Sequence, residues 1–124
     1  MSNNKKIMLV DDDITSLDII AMLFERKGFE VERSASGFQI LEQVANSGAD
    51  IAIVDLMMPE MDGVETVTRL REKGFNKPVI AFTASNDTTL HAAAINAGCV
   101  SVVTKPCKPS KLIDLITSHI IPQE

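Results

Sequence analysis

Ile51-Ala52-Ile53-Val54-Asp55-Leu56-Met57-Met58-Pro59-Glu60-Met61-Asp62-Gly63 decides how this chain folds. A strand covered on both faces of a sheet needs an uninterrupted apolar run of strand length, bounded by turn residues. Ile51 to Val54 is such a run. Strands of this kind ordinarily finish on a packing residue, or on Gly, Asn or Pro, which turn the chain. This one finishes on Asp55, a carboxylate that must be hydrated in a cleft or paired with a partner.

Comparable runs recur on either side: Ile7 to Val10, Phe29 to Val31, Val79 to Phe82 and Val100 to Val103. Between them lie apolar stripes of helical period. Ile14, Leu17, Ile20, Ala21, Leu23 and Phe24 form one stripe, and Phe38, Ile40, Leu41 and Val44 the next. Val64, Val67 and Leu70 follow, then Leu90, Ala93, Ala94 and Ala97, then Leu112, Ile113, Leu115, Ile116 and Ile120. Gly28 and Gly74 fit helix C-caps, and Ser85, Asn86 or Asp87 fits the N-cap of the fourth helix. Strand and helix alternate throughout, which predicts an α/β fold: one parallel sheet with helices on both faces. Ligands of such sheets bind at the carboxyl ends of the strands, where strand order reverses.

The chain has 124 residues, enough for one domain and too few for two. With 45% hydrophobic and 23% charged residues it can bury a single core. A formal net charge of −5 argues against direct nucleic-acid binding, which needs clusters of Lys and Arg. No stretch approaches the roughly 18 to 20 consecutive apolar residues of a membrane span. Met1-Ser2-Asn3-Asn4-Lys5-Lys6 carries the charge of a secretory leader, but the apolar stretch behind it stops at Asp11, too early for a signal peptide. Cys99 and Cys107 lack metal-ligand spacing and suit a reduced, cytoplasmic protein.

The residues at the carboxyl ends of the expected strands carry the chemistry. The first strand delivers Asp11-Asp12-Asp13, the third Asp55, the fourth Thr83 and the fifth Lys105. Carboxylates crowded on one edge raise one another's pKa, and a hard divalent cation such as Mg²⁺ relieves that penalty. Acid cluster, cation, hydroxyl and lysine together suit phosphoryl transfer, and an aspartate can serve as its nucleophile. Each piece has a plain alternative. The acid trio also reads as a solvated loop or an N-cap, Thr83 as a turn residue, and Asp62-Gly63 as a turn. Met57, Met58 and Met61 read as packing residues, and His91 and His119 receive no role. Chance would have to set all four classes at the ends of successive strands.

At this point the chain resembles a known family, the receiver domains of two-component response regulators, and among them the chemotaxis-type single-domain receivers. The matching blocks are Ile7-Met8-Leu9-Val10-Asp11-Asp12-Asp13, Asp55 through Gly63, Phe82-Thr83-Ala84 and Lys105-Pro106. The resemblance implies one receiver domain over 1–124, with its core at about 5–120, and a doubly wound five-stranded sheet of order 2-1-3-4-5. By resemblance Asp55 would accept a phosphoryl group from a phosphohistidine on a sensor histidine kinase or phosphotransfer protein. Asp12 would bind Mg²⁺ directly and Asp11 through water, with Asp55 and the Met57 carbonyl completing the metal site. Thr83 would hydrogen-bond the phosphoryl group, Lys105 would pair with it, and Lys105-Pro106 would be cis. Such a domain is a switch rather than an enzyme, catalysing its own phosphorylation and dephosphorylation. It acts on a downstream protein or a covalently attached output domain. Met57 and Ser85 would flank the path of attacking water; neither is an acid or amide, so slow dephosphorylation is expected.

One departure stands out. Many receivers carry Phe or Tyr three residues before the lysine, a ring that turns inward as the threonine moves. Here the position is Val102, stiff and ringless, and Cys107 follows Lys105-Pro106 where Phe is frequent. Signalling is therefore expected through backbone shifts of the loop after Thr83, or through another face.

Two rival readings remain at the sequence level. Asp11-Asp12-Asp13-Ile14-Thr15 matches the D-x-D-x-T nucleophile motif of haloacid-dehalogenase-type phosphatases, with Asp11 as nucleophile. That family needs an acidic pair after the lysine, and only Asp114 and Glu124 follow Lys105. The other rival is a receiver-like interaction domain that is never phosphorylated.

Overall fold

The structure, a computed structural model, describes residues 5–120. The Met1 to Asn4 part of the leader reading and the closing stretch 121–124 lie outside the described residues. The chain runs β1 (Lys6–Val10), α1 (Ile14–Arg26), β2 (Glu30–Ser34), α2 (Gly37–Ser47) and β3 (Ile51–Asp55). It continues α3 (Gly63–Glu72), β4 (Val79–Thr83), α4 (Thr88–Ala97), β5 (Ser101–Thr104) and α5 (Pro109–Ile120). The five strands pair in parallel in the order β2-β1-β3-β4-β5. This is the doubly wound arrangement that the sequence led us to expect.

Alternation along the strands divides the core into two layers. Ile7, Leu9, Ile51, Ile53, Ile80 and Phe82 pack with Leu17, Ala21 and Phe24 of α1 and Leu112 and Ile116 of α5. Met8, Val10, Ala52, Val54, Val79 and Ala81 pack on the other face with Ile40, Leu41, Val67, Leu70 and Ala94. Phe24, Ile40, Ile53, Leu70 and Ile116 are fully buried; burying a side chain of this size stabilises by about 1.5–3 kcal/mol.

Two readings shift. The second strand is Glu30–Ser34, not the apolar Phe29 to Val31. It pairs with β1 alone, so as an edge strand it needs no continuous apolar run. Phe29 is instead buried edge-on against Phe24, with ring centroids 6.4 Å apart. Ile14 and Phe38 belong to apolar stripes but are exposed, because each lies at the start of its helix beyond the reach of the core. Gly28 and Gly74 sit one residue past the C-caps Lys27 and Lys73, with φ of 96° and 93°. There the N–H groups of Phe29 and Phe75 close back onto Phe24 O and Leu70 O.

The α4 helix is the least anchored by packing: Ala94 is its only buried residue. Its carboxyl end is tied instead by Arg71 of α3. The guanidinium donates from Nη2 to Gly98 O at 2.7 Å and from Nη1 to Phe75 O at 2.8 Å and Lys77 O at 2.6 Å. Removing this fork leaves three carbonyls without their charged donor, so Arg71→Ala should lower unfolding free energy in urea by about 2 kcal/mol. Arg71→Lys should not restore it, because an ammonium lacks the planar fork. Full stability in Arg71→Ala would contradict this role.

Candidate functional site

Strand register sets the site. Val10 pairs with Val54, and Asp55 with Phe82, so β1, β3 and β4 end at nearly one level. Asp11 follows β1 directly and Asp55 closes β3. By alternation both side chains lie on the α1/α5 side of the sheet. Lys105, just beyond β5, reaches the same place. Its Nζ is 3.1 Å from Asp11 Oδ2 and 3.4 Å from Asp55 Oδ2, bridging the two carboxylates. It also lies 5.0 Å from the centre of the Phe82 ring, a cation–π contact that shields one side of the ammonium. The Lys105-Pro106 bond is cis, and Lys105 N–H donates to Thr83 O at 2.7 Å.

The backbone fixes both buried acids. Asp55 Oδ1 accepts from Met57 N–H at 3.0 Å, and Asp11 Oδ1 accepts from Asp13 N–H at 2.9 Å. Asp11 and Asp55 are only 3% and 6% exposed, whereas Asp12 faces solvent. One carboxylate oxygen from each of Asp11, Asp12 and Asp55 lies within 4.8 Å of the others. This donor set is all oxygen and all anionic, which suits a hard divalent ion such as Mg²⁺ and offers nothing to a soft one.

Burial pushes the Asp55 carboxyl from 3.8 up to about 6, Asp11 adds to the rise, and the Met57 N–H and Lys105 oppose it. Burial pulls Lys105 down, but Asp55 and Asp11 together outweigh it and hold the ammonium above its ordinary value. One lysine thus faces two buried carboxylates and leaves a residual negative charge.

Other sequence candidates separate here. The acid trio splits: Asp13 accepts from the N–H groups of Thr15 and Ser16 and caps α1, leaving Asp11 and Asp12 for the site. Asp62 caps α3, accepting from Glu65 N–H at 2.9 Å, which fits its reading as a turn residue. Gly63 has its own reason. A Cβ there would collide with Asp55 O and the Leu56 Cα, so only glycine lets α3 start against the end of β3. Met58 and Met61 pack in the core, but the Met57 side chain is exposed because its N–H turns back to Asp55. Thr83 is wholly buried on the opposite sheet face from Asp55, its Oγ1 accepting from Ser85 N–H at 3.1 Å. Among the described residues its hydroxyl proton is given to no protein acceptor. Val102 is half-buried beside an open hollow of about 470 Å³ lined also by Val103, Thr104 and Pro106. Phe82 escaped sequence reading as a site residue because its place under Lys105 depends on strand register.

The response regulator receiver domain family matches residues 7–117 of the chain. The alkaline phosphatase synthesis transcriptional regulatory protein PhoP of Bacillus subtilis is 28% identical over 109 residues, covering 88% of this chain and 45% of PhoP. The transcriptional regulatory protein SrrA of Staphylococcus aureus is 31% identical over 113 residues, covering 91% of this chain and 46% of SrrA. The chain therefore spans about half the length of the curated relatives it matches. A CheY-like response regulator receiver domain protein from Methanospirillum hungatei JF-1 has a similar structure, with a TM-score of 0.89 at 28% identity, covering 94% of this chain and 93% of that one. Nothing in these likenesses favours a phosphatase or a receiver-like domain that is never phosphorylated.

The electrostatics predict a pH dependence. Asp55 holds its proton more tightly folded than unfolded, so without divalent metal the native chain loses stability as pH rises from about 4 to about 6. Asp55→Asn removes that penalty. In chelator it should gain about 1–2 kcal/mol at about pH 8, a gain that vanishes towards about pH 4. Urea unfolding at both pH values measures it, and a loss of stability at the higher pH would contradict the reading.

Proposed function

The chain belongs to the family of response regulator receiver domains, and we propose that Asp55 is the residue through which it receives its signal. An Asp55 carboxylate oxygen forms a bond to the phosphorus of a phosphohistidine donor as the phosphorus–nitrogen bond breaks. The electron pair of that bond leaves with the imidazole. The observation that carries this reading is the cluster itself: Asp11, Asp12 and Asp55 within 4.8 Å, with Lys105 bridging the two buried members.

The chain's own groups have distinct tasks. Burial raises the basicity of Asp55 while leaving it largely ionised near neutral pH, and the Met57 N–H orients it. Lys105 exchanges its contact with Asp55 for one with the incoming phosphoryl oxygens. Thr83 donates its uncommitted hydroxyl proton to the same group. Asp11, Asp12, Asp55 and the Met57 carbonyl would hold Mg²⁺, which when bound neutralises charge on the phosphoryl oxygens.

The donor in this reading is a histidine kinase or a phosphotransfer protein. Support comes from α1, which starts beside the site and exposes Ile14, Ile19 and Met22, each at least half accessible. The switched domain, with its core at residues 5–120, controls a protein partner or an attached output domain in the cytoplasm. It also hydrolyses its own acyl phosphate slowly, because Met57 and Ser85 offer no acid or amide to direct water.

Labelling tests the assignment. Acetyl phosphate or phosphoramidate with Mg²⁺ should label the native chain, and Asp55→Asn or chelator should abolish the label. Label that survives in Asp55→Asn, or that depends on Asp11 as acceptor, would overturn it. A label that decays within seconds would contradict slow hydrolysis.

A further inference from the structure

Ser85 commits each of its polar groups. Its N–H donates to Thr83 Oγ1 at 3.1 Å, its hydroxyl oxygen accepts from Asp87 N–H at 3.1 Å, and its carbonyl meets His91 Nε2 at 2.7 Å. A carbonyl only accepts, so His91 Nε2 carries the proton and donates. His91 therefore fastens the amino-terminal half of α4 to Ser85, the residue whose N–H holds the Thr83 hydroxyl. Elsewhere α4 is held by one buried alanine, by Leu90 and Ala97 packed only partly against the core, and by the Arg71 tie to Gly98 O just beyond its carboxyl end. An element with so little buried apolar surface is among the first to move. Val102 supplies no ring on the neighbouring strand to share that motion.

We propose that His91 is a positioning residue that couples Thr83 to α4. When the Thr83 hydroxyl turns to a phosphoryl group on Asp55, Ser85 follows through its N–H and carries its carbonyl along. His91 then draws the amino end of α4 with it, about a pivot at the Arg71–Gly98 tie. This rests on Asp55 as the phosphoacceptor and adds the route by which that event reaches a helix surface.

Backbone amide spectra of the full chain with Mg²⁺, with and without beryllofluoride as the phosphoryl mimic, test it. The native chain should shift at Asp55, from Thr83 to Ser85, and along Thr88–Ala97. His91→Phe keeps a ring but no donor. It should retain the shifts at Asp55 and Thr83 and lose most of the shift across α4. His91→Gln, which keeps an N–H donor, should recover the α4 response, whereas a merely structural histidine would lower thermal stability without this split. A full α4 response in His91→Phe, or no recovery in His91→Gln, would overturn the proposal. Absence of any shift at Asp55 in the native chain would instead overturn the phosphoacceptor reading beneath it.

Discussion

One ammonium between two buried carboxylates is the constraint around which this molecule is organised. Lys105 satisfies Asp11 and Asp55 together, but its single charge leaves one negative charge over in a place where water is scarce. Burying unpaired charge is costly, and for Asp55 that cost outweighs what its pairing with Lys105 returns. The fold accepts this arrangement because other features hold it in place. Parallel register brings the strand ends level, backbone N–H groups pin one oxygen of each acid, and the Phe82 ring lies under the lysine. The same imbalance is one that a divalent cation held by oxygen ligands would relieve.

Stability and responsiveness are distributed unevenly across the sheet. The central strands and the α1, α3 and α5 helices each bury two or more apolar side chains, which packs the sheet beneath the acids closely. On the side of β4 that carries Thr83, the apolar layer is supplemented at α4 by hydrogen bonds to carbonyls: His91 to Ser85 near one end of the helix, Arg71 to Gly98 past the other. Directional polar ties can exchange partners at modest cost, whereas a packed core resists small displacements. An acid cluster on a closely packed sheet, beside a helix held partly by polar ties, is a physical basis for a switch.

Much of this was legible in the sequence, for identifiable reasons. β1, β3 and β4 are covered on both faces, so their apolar runs announce them, and the acid and threonine that end them follow directly. β2 was misplaced because an edge strand can be charged: Glu30, Glu32 and Arg33 look like loop residues until β1 is beside them. Asp11, Asp12 and Asp13 are chemically identical in sequence, and only the helix start separates the cap from the site. The contacts of Phe82 and His91 were not legible. One depends on strand register and the other on a backbone carbonyl, which has no side-chain signature.

The carboxyl resonance of Asp55, titrated by carbon-detected NMR in metal-free solution and again with Mg²⁺, tests the electrostatic core of this account most directly. The account predicts a metal-free midpoint near 6, raised by burial beside Asp11, and a clear fall when Mg²⁺ is added. A metal-free midpoint near the ordinary carboxylate value of about 4, unmoved by Mg²⁺, would contradict it.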